Sequence, residues 1–329
     1  MSHAIIDFSH NELPFPEQFQ EVRDWCNEWI THDSFTLKTS GTTGAPKQVR
    51  HQKDAFIASA KRTNDFFGIH EDSLLMLALP VSGIGGRMMV VRAAVARCRL
   101  LCVIPSTNPI ENLAISESIS LAAFTPMQLH GILAHPHTAL SQIQQIIIGG
   151  SPLDANLEQA LLGLNLKAWE SFGMTETLSH FALRQLGETA FTALGDVTFS
   201  QDQNDCLVVH DEAIHFLPIV TRDIIEWISD KQFRWKGRID FMINSGGIKL
   251  HAEELEEKLK PVINRNFFIS GEKDPVLGQK VVLTIEGPHD EELEQRIQTT
   301  DALGKYEKPK EIRFVPMFQR TASGKVLRH

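Results

Sequence analysis

The segment KTSGTTGAPKQVRH, Lys38 to His51, decides how the chain is read. Two glycines and the hydroxyls of Thr39, Ser40, Thr42 and Thr43 precede a basic run of Lys47, Arg50 and His51. Glycine lets another group come close to the backbone. Successive exposed N–H groups then form a concave anion site. The hydroxyls add donors and Lys47 adds a point charge, so the segment reads as a phosphate cradle, with an ordinary polar surface turn as the plain alternative. A Walker A loop is excluded by spacing. Counting from Gly41, Pro46 stands where the second glycine belongs, and Gln48 follows Lys47 where a hydroxyl is needed.

Length and charge narrow the classes. At 329 residues the chain exceeds what one growing core supports, and two domains are expected. A net charge of −9 argues against a general nucleic-acid binder. Cys26, Cys98, Cys102 and Cys206 have neither redox nor zinc spacing, and read as reduced thiols of a cytoplasmic protein. No signal-peptide core opens the chain. The longest apolar region, Met88 to Pro105, is interrupted by Arg92, Arg97 and Arg99, so no membrane span is expected.

Short apolar runs at Leu74–Leu79, Leu100–Ile104, Ile146–Ile148 and Val281–Ile285 read as buried strands. Helical patterns lie between them, so the fold class is α/β. In SPLDANLEQALLGL, Ser151 is the expected N-cap, Pro152 the first helical residue and Gly163 the stop. A second helix starts near His251 and ends at Pro261. The segment WKGRIDFMINSGGIKL carries the expected domain boundary, dividing the chain at Asp240 into residues 1–239 and 240–329.

Glu176, in ESFGMTETLSH, is a carboxylate suited to Mg²⁺ beside a phosphate cradle, because nucleotide-borne Mg²⁺ takes one or two carboxylates. Asp223, after an apolar run, is suited to accept a ribose diol. The Gly149–Pro152 segment follows a strand at its carboxyl end, where open α/β sheets bind ligands.

TSGTTGAPK, SFGMTET, TRD, GRIDFMINSGGIKL and RTASGKVLR stand in the order and approximate spacing of the adenylate-forming superfamily, which includes acyl- and aryl-CoA ligases. The chain resembles that family from Thr36 to Arg328. The resemblance implies a large N-terminal α/β domain and a small mobile C-terminal α+β domain, with ATP, Mg²⁺ and coenzyme A as reactants and a small carboxylic acid as substrate. Carried over position by position, Thr39, Ser40, Gly41, Thr42, Thr43, Gly44 and Lys47 form the phosphate loop. Gly150, Ser151, Pro152, Ser171, Phe172 and Gly173 border the adenine, with Phe172 standing where the family usually has tyrosine. Thr175 faces the α-phosphate, Glu176 the metal, and Asp223 and Arg238 the ribose. Asp240 is the hinge. Ser245, Gly246 and Gly247 line the coenzyme A tunnel, and Lys325 bridges carboxylate and phosphate.

Far fewer residues precede the phosphate loop than the family carries, and this shortening implies a compact acid. Together with GRMMVVR, GMTETLSHFALR and NSGGIKL, it makes the chain most similar to the o-succinylbenzoate–CoA ligases of menaquinone synthesis. That acid has two carboxylates, so the one not activated needs a cation. Arg92 is the preferred anchor, with Arg87 second. The alternative for both is an aliphatic stem in the core and a charge in water. Other small aryl- or acyl-CoA ligases, and an adenylate-binding protein without turnover, are the competing functional readings.

Overall fold

The computed structural model describes residues 3–10, 12–38, 48–135, 138–164, 166–319, Val326 and Arg328. The expected phosphate loop, residues 39–47, and Lys325 lie outside the described residues. The chain divides into two compact units: Met1–Phe199 with His210–Ile219 and Asp230–Gln232, and Ser200–Val209 with Val220–Ser229 and Phe233–His329.

The first unit contains β1 (His3–Asp7), α1 (Gln20–Thr31), β2 (Ser34–Lys38), β3 (Gln48–Gln52), α2 (Lys53–Phe67), β4 (Leu74–Leu77), α3 (Ile84–Ala96), β5 (Arg99–Val103) and β6 (Leu121–Phe124). It continues with α4 (Pro126–Ala134), β7 (Gln145–Ile148), α5 (Ala155–Gly163), β8 (Lys167–Met174), β9 (Ser179–Gln185) and β10 (Phe191–Ala193). Its sheet runs β1-β5-β4-β6-β7-β8-β9-β10. The strands from β5 to β8 are parallel, and β1 and β9 pair antiparallel at the two sides.

Parallel strands covered on both faces read as continuous apolar runs, which is why these segments stood out in the sequence. Their side chains alternate between two cores. Leu75, Leu77, Leu100 and Cys102 face α1, α2 and α3. Leu74, Met76, Leu101 and Ile148 face α4 and α5. Because β5 lies on one side of β4 and β6 on the other, the chain reverses direction across the sheet at β4. The carboxyl end of such a strand is where ligands are received.

An aromatic cluster anchors the hairpin that flanks residues 39–47. Phe35 on β2 stacks on Trp29 at 5.5 Å and meets Trp25 and Phe56 edge-on at 5.0 and 5.1 Å. Pairs of this kind contribute ~0.5–1.5 kcal/mol each beyond area burial. Thus α1 and α2 both pack on β2 through Phe35.

The sequence expectation for α5 needs correction. The helix starts at Ala155, and its cap is Asp154, which accepts from Leu157 N at 2.9 Å. Ser151 and Pro152 lie in the loop before it. Asp154 captures an orphan N–H of the first turn, while Leu153 N is drawn instead to Glu170 Oε1 at 3.2 Å.

The second unit holds half of β11 (Thr198–Gln201) and most of β12 (Cys206–His210), β13 (Ile219–Ser229) and β14 (Gln232–Arg238), ordered β14-β13-β12-β11. Then come β15 (Met242–Ser245), β16 (Ile248–His251), α6 (Ala252–Leu259), β17 (Phe267–Asp274), β18 (Gly278–Glu286), α7 (Glu291–Thr299) and β19 (Glu311–Val315). A five-stranded sheet runs β16-β15-β18-β17 with β19 on β18, and α6 and α7 cover its core through Leu255, Leu259, Leu293 and Ile297. All four cysteines are free and buried, and among the described residues no helix is long and apolar enough to cross a membrane.

Arg97 closes α3 with φ +53°, a left-handed conformation that costs an L side chain ~1–2 kcal/mol. Its outward contact, Nη2 to Ser9 O at 3.3 Å, is exposed and weak. Arg97→Gly is therefore expected to gain up to ~1 kcal/mol of stability in chemical denaturation, glycine being the usual residue at this helix stop. A clear loss would contradict the assignment.

Candidate functional site

Adjacent parallel strands bring the expected adenine-side residues together. Ile148 of β7 is in register with Glu170 of β8, so Gly149–Leu153 and Ser171–Gly173 emerge side by side. Ser171 Oγ donates to Ile148 O at 2.8 Å. Glu170 ties the same pair together, accepting from Leu153 N and from Arg184 Nη2 at 2.6 Å. Arg184 also donates through Nη1 to Glu158 at 2.8 Å. These surrounding carboxylates hold the Arg184 guanidinium above its ordinary range despite burial. Glu170 and Arg184 were missed from sequence because nothing local marks a brace between strands.

Phe172 packs edge-on against Phe191 and Phe181, at 5.1 and 5.8 Å. Between Phe172 and Gly173 the pairing with β9 slips. A Cβ on Gly173 would lie 2.1 Å from Ser179 O, so only glycine permits the close pass. The chain then enters the turn bearing Thr175 and Glu176. His51 of β3 bonds Thr175 O through Nε2 at 3.1 Å, joining this turn to the hairpin that flanks residues 39–47.

In the second unit, Asp223 on β13 is buried, and its pKa is raised by burial against the opposing pull of Arg238 and Trp235. Trp235 Nε1 donates to it at 3.1 Å and Arg238 lies 3.6 Å away. Arg238 also reaches Asp240 at 3.0 Å, and Arg222 grips Asp240 from its other side. The hydrogen bond from Arg222, then burial in the opposite sense and the bond from Arg238, leave the Asp240 carboxyl below its ordinary range. Gly246 and Gly247 form the two-residue turn between β15 and β16, with φ +62° and +85°. Two consecutive positive φ values define the tight hairpin turn that glycine favours. Ser245 is the last residue of β15.

Residues 27–218 match the family described as AMP-binding enzyme. The chain belongs to the AMP-binding enzyme family. By that membership it is of the AMP-forming acid–CoA ligase class and has the mixed α/β adenylate-forming fold. It is similar to a 2-succinylbenzoate–CoA ligase from Enterococcus faecalis, 23% identical over 98% of this chain and 71% of the relative. It is also similar to a long-chain-fatty-acid–CoA ligase from Mycobacterium tuberculosis, 24% identical over 89% of this chain and 66% of the relative. Among solved structures, an acyl-CoA synthetase (AMP-forming)/AMP-acid ligase II-like protein from Dyadobacter fermentans matches with a TM-score of 0.68 and 29% identity, over 99% of this chain and 97% of its own.

Within this AMP-binding enzyme, the two arginines of α3 have different surroundings. Arg87 is engaged by protein: Nε donates to Val81 O at 2.9 Å, and the guanidinium stacks 4.4 Å from the Trp25 ring. Arg92 does not reach water; it is 2% exposed. Its Nη1 touches only Met89 Sδ at 3.3 Å, and Nε and Nη2 are buried without a hydrogen-bond partner among the described residues. Burial alone lowers its pKa to about 9. Across the seam, Asn64 of α2 donates Nδ2 to Arg92 O at 3.0 Å, while its own Oδ1 is buried and has no hydrogen-bond partner among the described residues. Nearby His180 is held well below its ordinary pKa by burial and by the charges of Arg92 and Arg62, so it supplies no competing cation.

Arg328, three positions after Lys325, rests on Phe241 at 4.6 Å and donates Nη2 to Glu256 at 2.8 Å. Burial nevertheless raises the Glu256 carboxyl from 4.5 to about 7. Between those values the folded unit keeps a proton that the unfolded chain has released, so stability falls as pH rises through the window. Glu256→Gln keeps an acceptor for Ile269 N, and is expected to flatten this decline in denaturant unfolding at pH 5, 6 and 7. An unchanged slope would contradict the assignment.

Proposed function

We propose that this chain is an ATP-dependent acid–CoA ligase working through an acyl-adenylate, and that its acid is o-succinylbenzoate. The observation carrying the choice of acid is the buried guanidinium of Arg92, with two donors unbonded among the described residues. An ion in such a site is stabilised by an opposite charge with satisfied hydrogen bonds. The unreacted carboxylate of a dicarboxylic acid supplies that charge, while a fatty acid brings only the carboxylate that reacts. Similarity to a 2-succinylbenzoate–CoA ligase across nearly the whole chain supports the same choice.

The chemistry follows from charge. A carboxylate is a poor acyl donor because oxide is its leaving group, and transfer to AMP replaces oxide with a better one. The step brings two anions together, so fixed N–H donors and cations lower its barrier. In this reading Thr39–Gly44 and Lys47 hold the β- and γ-phosphates, and Thr175 faces the α-phosphate. Gly150, Ser151, Pro152, Ser171, Phe172 and Gly173 border the adenine, and Asp223 and Arg238 hold the ribose. Lys325 bridges the reacting carboxylate and phosphate. Glu176, a single carboxylate on a fixed turn, suits Mg²⁺ arriving with the phosphates, and that ion supplies charge neutralisation when bound. Residues 240–329 act as the mobile domain about Asp240, and Ser245–Gly247 border the path of the coenzyme A thiol.

ATP–pyrophosphate exchange over a panel of aromatic and aliphatic acids, repeated with coenzyme A and thioester detection, tests the proposal. o-Succinylbenzoate is expected to support both readouts. A charge-assisted hydrogen bond is worth ~1.5–3 kcal/mol, so Arg92→Ala should lose roughly ten- to 150-fold in kcat/KM for that acid. Acids lacking the second carboxylate should be little affected. A uniform loss across the panel would remove Arg92 as the anchor.

A further inference from the structure

The turn from Met174 to Ser179 is strained. Leu178 and Ser179 have φ +51° and +81° without being glycine. Such residues cost of order ~1–3 kcal/mol each, and persist where their surroundings over-determine them. Inside the turn, Thr177 Oγ1 accepts from Met174 N at 3.0 Å and donates toward Ser179 O at 2.9 Å. Three more side chains grip its carbonyls from outside. His51 of β3 holds Thr175 O at 3.1 Å, Ser59 of α2 holds Leu178 O at 2.9 Å, and His215 holds Glu176 O at 2.7 Å.

Carbonyl oxygens only accept, so both imidazoles must carry their proton on Nε2. The rings meet edge-on, 5.3 Å apart. Burial first, and then His215, lower the His51 pKa, while its bond to Thr175 and the charge of Glu176 act the other way. His215 is delivered by its own anchored turn. His215 N and Ile214 N bond to Asp211 O at 2.8 and 3.1 Å, and Asp211 is paired with Arg62 of α2 at 2.8 Å, with both side chains nearly buried.

We propose that His51, Ser59 and His215 are positioning residues that clamp the strained backbone, and that His215 in particular fixes the direction in which Glu176 presents its carboxylate to magnesium-bound nucleotide. The proposal rests on the reading of Glu176 given above. None of the three side chains touches the reacting atoms in this account. Their work is to keep a conformation that the turn does not favour by itself.

The test compares wild type, His215→Ala and His215→Gln, whose amide N–H₂ can replace the Nε2 donor. Mg·ATP affinity is measured by equilibrium dialysis across a magnesium titration, with unliganded thermal stability and the KM for acid recorded alongside. His215→Ala is expected to raise the Mg·ATP dissociation constant about tenfold, the scale of one hydrogen bond, with the acid KM within about twofold. His215→Gln should recover most of the loss. Wild-type affinity in a folded His215→Ala would overturn the clamp, as would a folded His215→Gln no better than Ala or an equal change in the acid KM. A wild type that binds ATP without any dependence on magnesium would instead remove Glu176 from the metal, and the proposal with it.

Discussion

The guanidinium of Arg92, buried in the first unit with two donors unbonded among the described residues, is the constraint on which the proposed choice of acid depends. Moving a guanidinium out of water costs several kcal/mol unless an anion and good hydrogen bonds answer it. Around Arg92 the chain answers only partly. Met89 offers a polarisable sulfur, Asn64 a neutral amide directed to the backbone, and His180 a ring kept uncharged. No acidic side chain pairs with the guanidinium among the described residues. A surface arginine in that state would mean little. A fully buried one leaves a deficit that a ligand anion can remove, and the ligand gains affinity from the difference.

The remaining architecture serves placement. Parallel pairing of β7 with β8 sets Gly149–Leu153 and Ser171–Gly173, the segments proposed to border the adenine, next to each other, and the Glu170–Arg184 pair locks them. The pass of Gly173 under Ser179 turns the chain sharply toward Glu176. Strain created there is contained by side chains from β3, α2 and the Asp211 turn. The hairpin flanking residues 39–47 is thus coupled to the Glu176 turn through His51.

Much of this was legible in the sequence, for identifiable reasons. β4, β5 and β7 were readable because strands covered on both faces are apolar at every position. The start of α5 was misread because a Ser-Pro pair is a good local cap signal, whereas the backbone there is drawn toward Glu170. The Gly246–Gly247 pair was assigned from the family resemblance to the coenzyme A tunnel, and it also encodes a two-residue hairpin. His215 gave no signal, because its bond to Glu176 spans 39 positions and arises only through folding. His51 stood in the opening motif and looked like part of a basic run. Its role emerges from a contact 124 positions away.

The central claim, that Arg92 is a buried charge awaiting the second carboxylate of the acid, is tested most directly by thermal unfolding of Arg92→Met with and without o-succinylbenzoate. Methionine keeps much of the volume and removes the charge. Replacing a buried ion by an apolar side chain is often neutral or stabilising. The account predicts that unliganded Arg92→Met melts at or above the wild-type temperature. It also predicts that o-succinylbenzoate at about a hundredfold over the wild-type Kd, worth ~2.7 kcal/mol, raises the wild-type midpoint by several degrees and the variant's by at most about half as much. An equal ligand-induced rise in both proteins would contradict it.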